Sequence, residues 1–151
     1  MNPFFHNDFF IALLCFKIFT KEPAYMDYNF IGKTILIVED EEVSRFFFEK
    51  ALKKTRANLF FVNDGVEAVE MIRDNTQIDL VLMDIRLPRM NGIEATAKIK
   101  ELIPEIPIII QTAYAMHSAQ DEARNSGCDE FITKPIKIET LLSILKKHLI
   151  Y

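Results

Sequence analysis

The most constraining feature of this sequence is an alternation of two hydrophobic periods that repeats five times after about residue 32. Short apolar runs such as "KTILIVE" and "IDLVLMD" alternate with segments such as "GVEAVEMIRDN", in which apolar residues recur at helical spacing. Such runs are typical of strands buried on both faces of a parallel sheet. The predicted strands are residues 33–39, 58–63, 78–84, 106–113 and 129–133, and the predicted helices are residues 42–54, 65–75, 92–103, 116–127 and 137–150.

The composition fits one globular domain. A chain of 151 residues can bury one sizeable core, and its 50% apolar and 26% charged residues are an ordinary balance. The net charge of −4 argues against a nucleic-acid-binding surface, which usually carries a basic stripe. Cys15 and Cys128 lie far apart and form no metal or redox motif, so we expect reduced, buried or half-buried thiols. We expect a cytoplasmic protein.

Residues 1–30 differ from the rest and hold seven of the thirteen phenylalanines. The apolar run at residues 9–19 is too short to span a membrane, and it lacks the basic start of a signal peptide. Three interpretations remain: a helix that docks on a partner, a terminal tail, or a segment absent from a natural protein that starts at Met26. We expect a nonessential extension at 1–30, followed by one domain at 31–151.

Charged and polar residues collect where the predicted strands end. Carboxyl ends of parallel strands meet at one edge of the sheet, and ligands bind there at the switch point in strand order. An acid that ends an apolar run is costly to bury unless something pairs with it. The residues concerned are Glu39, Asp40 and Glu41 after the first strand, Asp84 at the third, Gln111, Thr112 and Ala113 at the fourth, and Lys134 and Pro135 after the fifth.

This set of residue types predicts phosphoryl chemistry. Glu39, Asp40 and Asp84 repel one another at one edge unless a cation binds, and oxygen ligands without His or Cys suit Mg²⁺. A carboxylate beside Mg²⁺ can attack phosphorus to give an acyl phosphate. Lys134 and Thr112 are suited to contact the transferred oxygens. The sequence has no G-x-x-x-x-G-K-[ST] loop, which argues against nucleotide binding.

Four segments resemble the receiver domains of two-component response regulators. They are "ILIVEDEE", "DLVLMDIRLPRMNGIEA", "IPIIIQTAYA" and "GCDEFITKPI", and the likeness runs from about Lys33 to the C-terminus. The resemblance implies a flavodoxin-like (βα)5 three-layer sandwich with strand order 2-1-3-4-5. It also implies a phosphorylation-activated signalling switch rather than a turnover enzyme, with slow self-dephosphorylation at most.

The resemblance implies a role for each acid at the strand ends. Asp84 accepts a phosphoryl group from a phosphohistidine on a histidine kinase or a histidine phosphotransfer protein. Mg²⁺, which Mn²⁺ can replace, is held by Asp40, Asp84 and the backbone carbonyl of Arg86. Glu39 contacts the metal mainly through water, since Asp is also frequent at its position.

The resemblance further implies how the signal leaves the site. Thr112 is the switch hydroxyl, Phe131 is the aromatic switch residue, and Lys134 contacts the phosphoryl group. Pro135 follows Lys134 through a cis peptide bond. The face made by the fourth helix, fifth strand and fifth helix is expected to bind partners or a second copy of the chain.

Two alternatives to a phosphorylated receiver are open. A phosphatase of the haloacid dehalogenase type also uses an aspartate nucleophile and Mg²⁺, but its D-x-D-x-[TV] motif is not matched by "VEDEE" or by Arg86 two residues after Asp84. A degenerate receiver that only binds a partner is opposed by the intact set of Asp40, Asp84, Thr112 and Lys134.

The sequence does not indicate which output the domain controls. The chain stops after the final predicted helix, so we expect a stand-alone receiver or a piece of a longer protein. The segments "QTAYAM" and "KIET" resemble receivers fused to hybrid histidine kinases and favour the second. His6, His117 and His148 are expected to be exposed and unpaired, and none is assigned as a phosphohistidine. Part of the run Phe46-Phe47-Phe48 is expected to be exposed or to pack on the N-terminal extension.

Overall fold

The computed structural model describes residues 28–150 except residues 75–76 and 114–116, and it leaves the side chains of residues 117–120 undescribed. The expectations for residues 1–27, including the apolar run, Cys15, His6 and the start at Met26, therefore lie outside the described residues. The side chain of His117 does too.

Five parallel strands alternate with five helices in the described residues. The sheet order is β2-β1-β3-β4-β5, which confirms the flavodoxin-like arrangement predicted from the sequence. In chain order the elements are β1 (Thr34–Val38), α1 (Glu42–Leu52), β2 (Asn58–Val62), α2 (Gly65–Asp74), β3 (Leu80–Asp84), α3 (Gly92–Leu102), β4 (Ile108–Thr112), α4 (His117–Asn125), β5 (Glu130–Thr133) and α5 (Ile138–Leu149).

The sheet has a hydrophobic layer on each face because alternate strand residues point to opposite sides. On one face Ile37, Leu82 and Ile109 pack in a cluster with Phe48 of α1 and Leu142 of α5. The other face includes Ile110, buried with side chains of α2, α3 and α4. Each fully buried side chain of this kind contributes about 2 kcal/mol. The face toward α1 and α5 is called the α1/α5 face below.

Strand register brings the functional edge together. Val38 pairs with Met83, so Glu39 follows β1 at the level of Asp84. Asp84 pairs with Gln111, and Gln111 pairs with Ile132. The carboxyl ends of β1, β3, β4 and β5 therefore form one row across the sheet.

The strands and helices of the structure are shorter than predicted by one or two residues at one or both ends. The first predicted helix ends as an α-helix at Leu52 and continues as a 3₁₀ turn over Lys53–Thr55. Arg56 then takes a left-handed conformation with φ of 62°, which turns the chain toward β2. Phe30 is only 1% exposed and belongs to the core, although it precedes the predicted domain start at residue 31.

Three expectations for single side chains can be compared with the structure. Cys128 is a free, half-buried thiol whose pKa is raised by burial, as expected. Phe46 is 58% exposed while Phe48 is buried, which confirms the partial exposure of that run. His148 was expected to be exposed and unpaired, and this is wrong: it is half-buried, with Nε2 2.9 Å from Oε2 of Glu130.

Among the described residues, no helix combines the length and the apolar character that crossing a bilayer requires.

Candidate functional site

Three carboxylates meet at the carboxyl edge of the sheet. One oxygen each of Glu39, Asp40 and Asp84 lies within 4.8 Å of the others. Glu39 and Asp40 follow β1, and Asp84 is the last residue of β3. Glu39 and Asp84 are buried while Asp40 is exposed, so the cluster is open to solvent on the side of Asp40.

Lys134 supplies the positive charge that the sequence predicted for this edge. Its Nζ lies 3.1 Å from Oε2 of Glu39 and 3.1 Å from Oδ2 of Asp84, so it donates to both carboxylates. Lys134 directly follows β5, its backbone N–H donates to the carbonyl of Thr112, and the peptide bond to Pro135 is cis. The charged partner of Asp84 is therefore this ammonium group, while its Oδ1 accepts from the backbone N–H of Arg86 at 3.5 Å.

The electrostatics of the cluster leave it short of positive charge. Burial raises the pKa of Glu39, the nearby charge of Asp84 raises it further, and Lys134 offsets this only in part. Burial alone would lower the pKa of Lys134, but the carboxylates of Asp84 and Glu39 outweigh it and raise that pKa. One ammonium facing three carboxylates fits a site that takes a further cation, and all-oxygen ligands suit Mg²⁺.

An open cleft of about 700 Å³ extends from the carboxylate cluster along the loop after β3 to the start of α3. This volume can hold a group much larger than a metal ion, and the lining offers both polar and apolar contacts. The lining residues are Asp40, Ile85, Arg86, Leu87, Pro88, Asn91, Ile93, Glu94 and Glu122.

The loop between β3 and α3 packs tightly under the acid that it follows. A Cβ atom on Gly92 would lie 1.9 Å from the backbone oxygen of Asp84, so only glycine fits. The Gly92 N–H donates to the carbonyl of Ile85 at 2.9 Å, and the Asn91 side chain caps α3 by accepting from the N–H of Glu94. These contacts fix the backbone at Arg86, whose carbonyl is the predicted metal ligand.

A second anchor of this loop was missed from the sequence. Asp64 is 4% exposed and accepts from the backbone N–H groups of Val66 and Glu67 at the start of α2. Nε of Arg89 donates to the same carboxylate at 2.7 Å, with Arg89 at a φ of 60°. The position of Asp64 before a helix signals a cap, but no sequence pattern indicates its pairing with Arg89.

The predicted switch residues share one face of the sheet. Thr112 is buried at the end of β4 and pairs with Thr133. Phe131 is the second residue of β5 and pairs with Ile110. The Arg124 guanidinium of α4 lies 5.4 Å from the centre of the Phe131 ring, a cation–π contact with no signal in the sequence.

The fold and this site together define a class of protein. The family described as the response regulator receiver domain matches residues 35–146, and the chain belongs to that family. A curated relative is the polar-differentiation response regulator DivK of Brucella ovis, 34% identical over 119 residues that cover 78% of this chain and 96% of DivK.

Solved structures show the same relationship. The receiver domain of a sensor histidine kinase from Pseudomonas aeruginosa is 32% identical with a TM-score of 0.73, and the match covers 78% of this chain and 98% of that one. That structure contains a magnesium ion coordinated in its active-site cleft. A CheY-like receiver from Methanospirillum hungatei is 30% identical with a TM-score of 0.73, covering 78% and 93%.

Proposed function

We propose that this protein is a phosphorylation-activated switch of a two-component phosphorelay and that Asp84 is its phosphoacceptor. The observation that carries the proposal is the position of Asp84: its carboxylate lies beside two further acids and accepts from the ammonium of Lys134. Membership in the receiver family supports the same conclusion.

The phosphoryl donor is a phosphohistidine on a histidine kinase or a histidine phosphotransfer protein. A carboxylate oxygen of Asp84 attacks phosphorus and forms a P–O bond while the P–N bond breaks. The electron pair of that bond goes to the imidazole, which leaves as a neutral ring when its other nitrogen carries a proton. The protein accepts one phosphoryl group per molecule and acts as a stoichiometric acceptor.

The chain's own residues then hold the transferred group. Lys134 already donates to the attacked carboxylate and is placed to donate to phosphoryl oxygens. Thr112 ends the neighbouring strand β4 and donates its hydroxyl to the same group. Each such bond to a charged oxygen is worth about 1.5–3 kcal/mol.

Mg²⁺ fits the donor set of this edge, and Mn²⁺ is an acceptable substitute. Asp40, Asp84 and the backbone carbonyl of Arg86 would hold the ion, with Glu39 contributing mainly through water. When bound, the metal neutralises negative charge on the transferred oxygens. The magnesium-containing relative from Pseudomonas aeruginosa supports this assignment.

The output face of the switch is formed by α4, β5 and α5. Thr112 and Phe131 lie on the same side of neighbouring strands, so a movement of Thr112 toward the phosphoryl group changes the space available to the Phe131 ring. Partners, or a second copy of the chain, then distinguish two shapes of this face.

The test is an intact mass spectrum after treatment with acetyl phosphate and Mg²⁺. We expect one added phosphoryl group on the wild-type protein and none on Asp84→Asn. Asp40→Asn is expected to abolish metal-dependent labelling, because it removes the exposed metal-binding carboxylate.

The matched control is Glu94→Gln, which removes an exposed carboxylate from the lining of the same cleft. It should label like the wild type. Equal labelling of Asp84→Asn and wild type would move the acceptor to another residue, and normal labelling of Asp40→Asn would contradict the metal assignment.

A further inference from the structure

Gln111 is a buried polar residue that the proposed chemistry does not use. It is 0% exposed, and neither its Oε1 nor its Nε2 has a hydrogen-bond partner among the described residues. A buried amide left unpaired costs free energy that an apolar side chain of the same size would not. Within that part of the chain, no other buried side-chain nitrogen or oxygen lacks a partner.

The register of the sheet places this amide among the reacting groups. Gln111 is paired directly with Asp84 on one side and with Ile132 on the other. Strand alternation puts Gln111 on the α1/α5 face with Ile109, two residues earlier. Asp84 follows Leu82 on that same face.

The Lys134 side chain has to cross the end of β4, the strand that carries Gln111, to reach its partners. Its backbone continues from β5, whereas its ammonium contacts Asp84 at the end of β3 and Glu39 beyond β1. Neighbouring strands are about 4.8 Å apart, so this side chain crosses the end of β4. Ile132 pairs with Gln111 and is buried on the α1/α5 face, and we infer from strand alternation that Lys134, two residues later, starts on that face.

We propose that Gln111 is a positioning residue for Lys134 in the phosphorylated state, an inference that rests on the function proposed above. An ammonium group has three N–H donors, and the resting state uses two of them on Glu39 and Asp84. When Lys134 turns to the phosphoryl oxygens on Asp84, Oε1 of Gln111 rotates to accept a further N–H. The amide that is unpaired at rest then holds the ammonium against the phosphoryl group.

The test compares Gln111→Met, which keeps the length of the side chain and removes both polar atoms, with the wild type. Binding of beryllofluoride, a phosphoryl mimic, in the presence of Mg²⁺ should weaken about tenfold, the loss of one charge-assisted hydrogen bond. Without metal, the same variant should unfold at a higher urea concentration, because the unpaired amide is gone.

Ile109→Met is the matched control, since Ile109 is buried on the same strand and the same face. It should bind beryllofluoride within about twofold of the wild type and should not raise the urea midpoint. Gln111→Leu is a second variant with the same expected pair of effects, in case Gln111→Met does not fold.

A double-mutant comparison with Lys134→Ala distinguishes a positioning role of Gln111 from a packing role. In a Lys134→Ala background, Gln111→Met should weaken beryllofluoride binding no further, whereas a packing defect would weaken it in both backgrounds. Wild-type affinity in Gln111→Met, a loss that persists without Lys134, or a lower urea midpoint would overturn the inference. Failure of the wild-type protein itself to bind beryllofluoride would instead overturn the proposed function.

Discussion

Asp64 shows how one buried acid supports a site to which it does not belong. Its carboxylate caps the start of α2 by accepting from the N–H of Glu67. It also accepts from Nε of Arg89, which lies in the loop that follows Asp84. The N–H of Gly65 donates to the carbonyl of Met90, which adds a backbone link between the two loops. The geometry of the loop that follows Asp84 therefore depends on a residue two strands away from Asp84 in the sheet.

This contact predicts a pH-dependent loss of stability. Burial alone would raise the pKa of Asp64, but the Glu67 N–H and Arg89 outweigh it and lower that pKa. A lowered pKa in the folded state gives stability that is present above the unfolded-state pKa and is lost as the pH falls through the folded-state value. Asp64→Asn keeps a cap acceptor and should cost about 1 kcal/mol near pH 7.

Urea unfolding of both proteins across the acid range measures this effect. The difference between wild type and Asp64→Asn should shrink as the pH falls below about 4, where the unfolded state begins to protonate, and on through the lower folded-state pKa. Asp74→Asn is the control, because the Asp74 side chain is 74% exposed and should change little at any pH. A difference that stays constant into acid would show that the charge of Asp64 is not the cause.

The sequence predicted which residues lie together at the strand ends. It did not predict the contacts between side chains from distant segments of the chain. The meeting of Glu39, Asp84 and Lys134 was predictable because parallel strands end at one edge. The pairs Asp64–Arg89 and His148–Glu130 join distant segments, and their geometry is set only by packing. Gln111 was noted at a strand end, but its unpaired burial is visible only in three dimensions.

Among the elements and loops, the loop between β3 and α3 is expected to tolerate substitution least, because its backbone packs closely against Asp84. Gly92→Ala would push a Cβ atom against the Asp84 carbonyl and the backbone of Ile85. Because these are backbone atoms, the loop must shift and carry Asp84 with it. We predict a loss of about 3 kcal/mol in the free energy of unfolding, together with slower labelling by acetyl phosphate.

Gly32→Ala is a control for glycine replacement away from the site. Gly32 has a φ of +77°, but nothing lies within 4 Å of the position that an added Cβ atom would take, so only backbone strain is expected. That variant should lose about 1 kcal/mol and label at the wild-type rate. Wild-type stability and labelling of Gly92→Ala would contradict the close approach described here.

The elements themselves were predictable in type and order because their hydrophobic periods differ clearly. Their ends were less so. The apolar run at residues 106–113 suggested a longer strand, yet β4 spans only Ile108–Thr112 because pairing with β3 and β5 is limited to those residues. The sequence after Leu52 is compatible with more helix, and the left-handed Arg56 ends it.

In the molecule as a whole, the described residues contain a five-stranded sheet and the candidate site. Phe30 closes the core, with its N–H donating to the Thr55 carbonyl at 2.7 Å. Tyr28 lies under the Lys146 ammonium, 5.6 Å from Nζ to the ring centre. We therefore predict that a chain starting at Met26 folds and labels like the full chain, with less than about 2 kcal/mol of stability lost.

Chemical denaturation of the two chains gives that comparison. Phe30→Ala in the shorter chain is the matched control and should cost about 3–5 kcal/mol, since it empties a buried aromatic site. A loss of more than about 2 kcal/mol on truncation alone would show that residues before Met26 belong to the core.

Borohydride reduction can locate the phosphoryl group that we propose Asp84 receives. Borohydride reduces an acyl phosphate to an alcohol, so a phosphorylated aspartate becomes homoserine and can be mapped by peptide mass spectrometry. After treatment with acetyl phosphate and Mg²⁺, we expect homoserine at position 84 and unmodified aspartate at position 40. Reduction at Asp40 or Glu39, or a phosphoryl adduct with no reduced residue at position 84, would contradict this proposal.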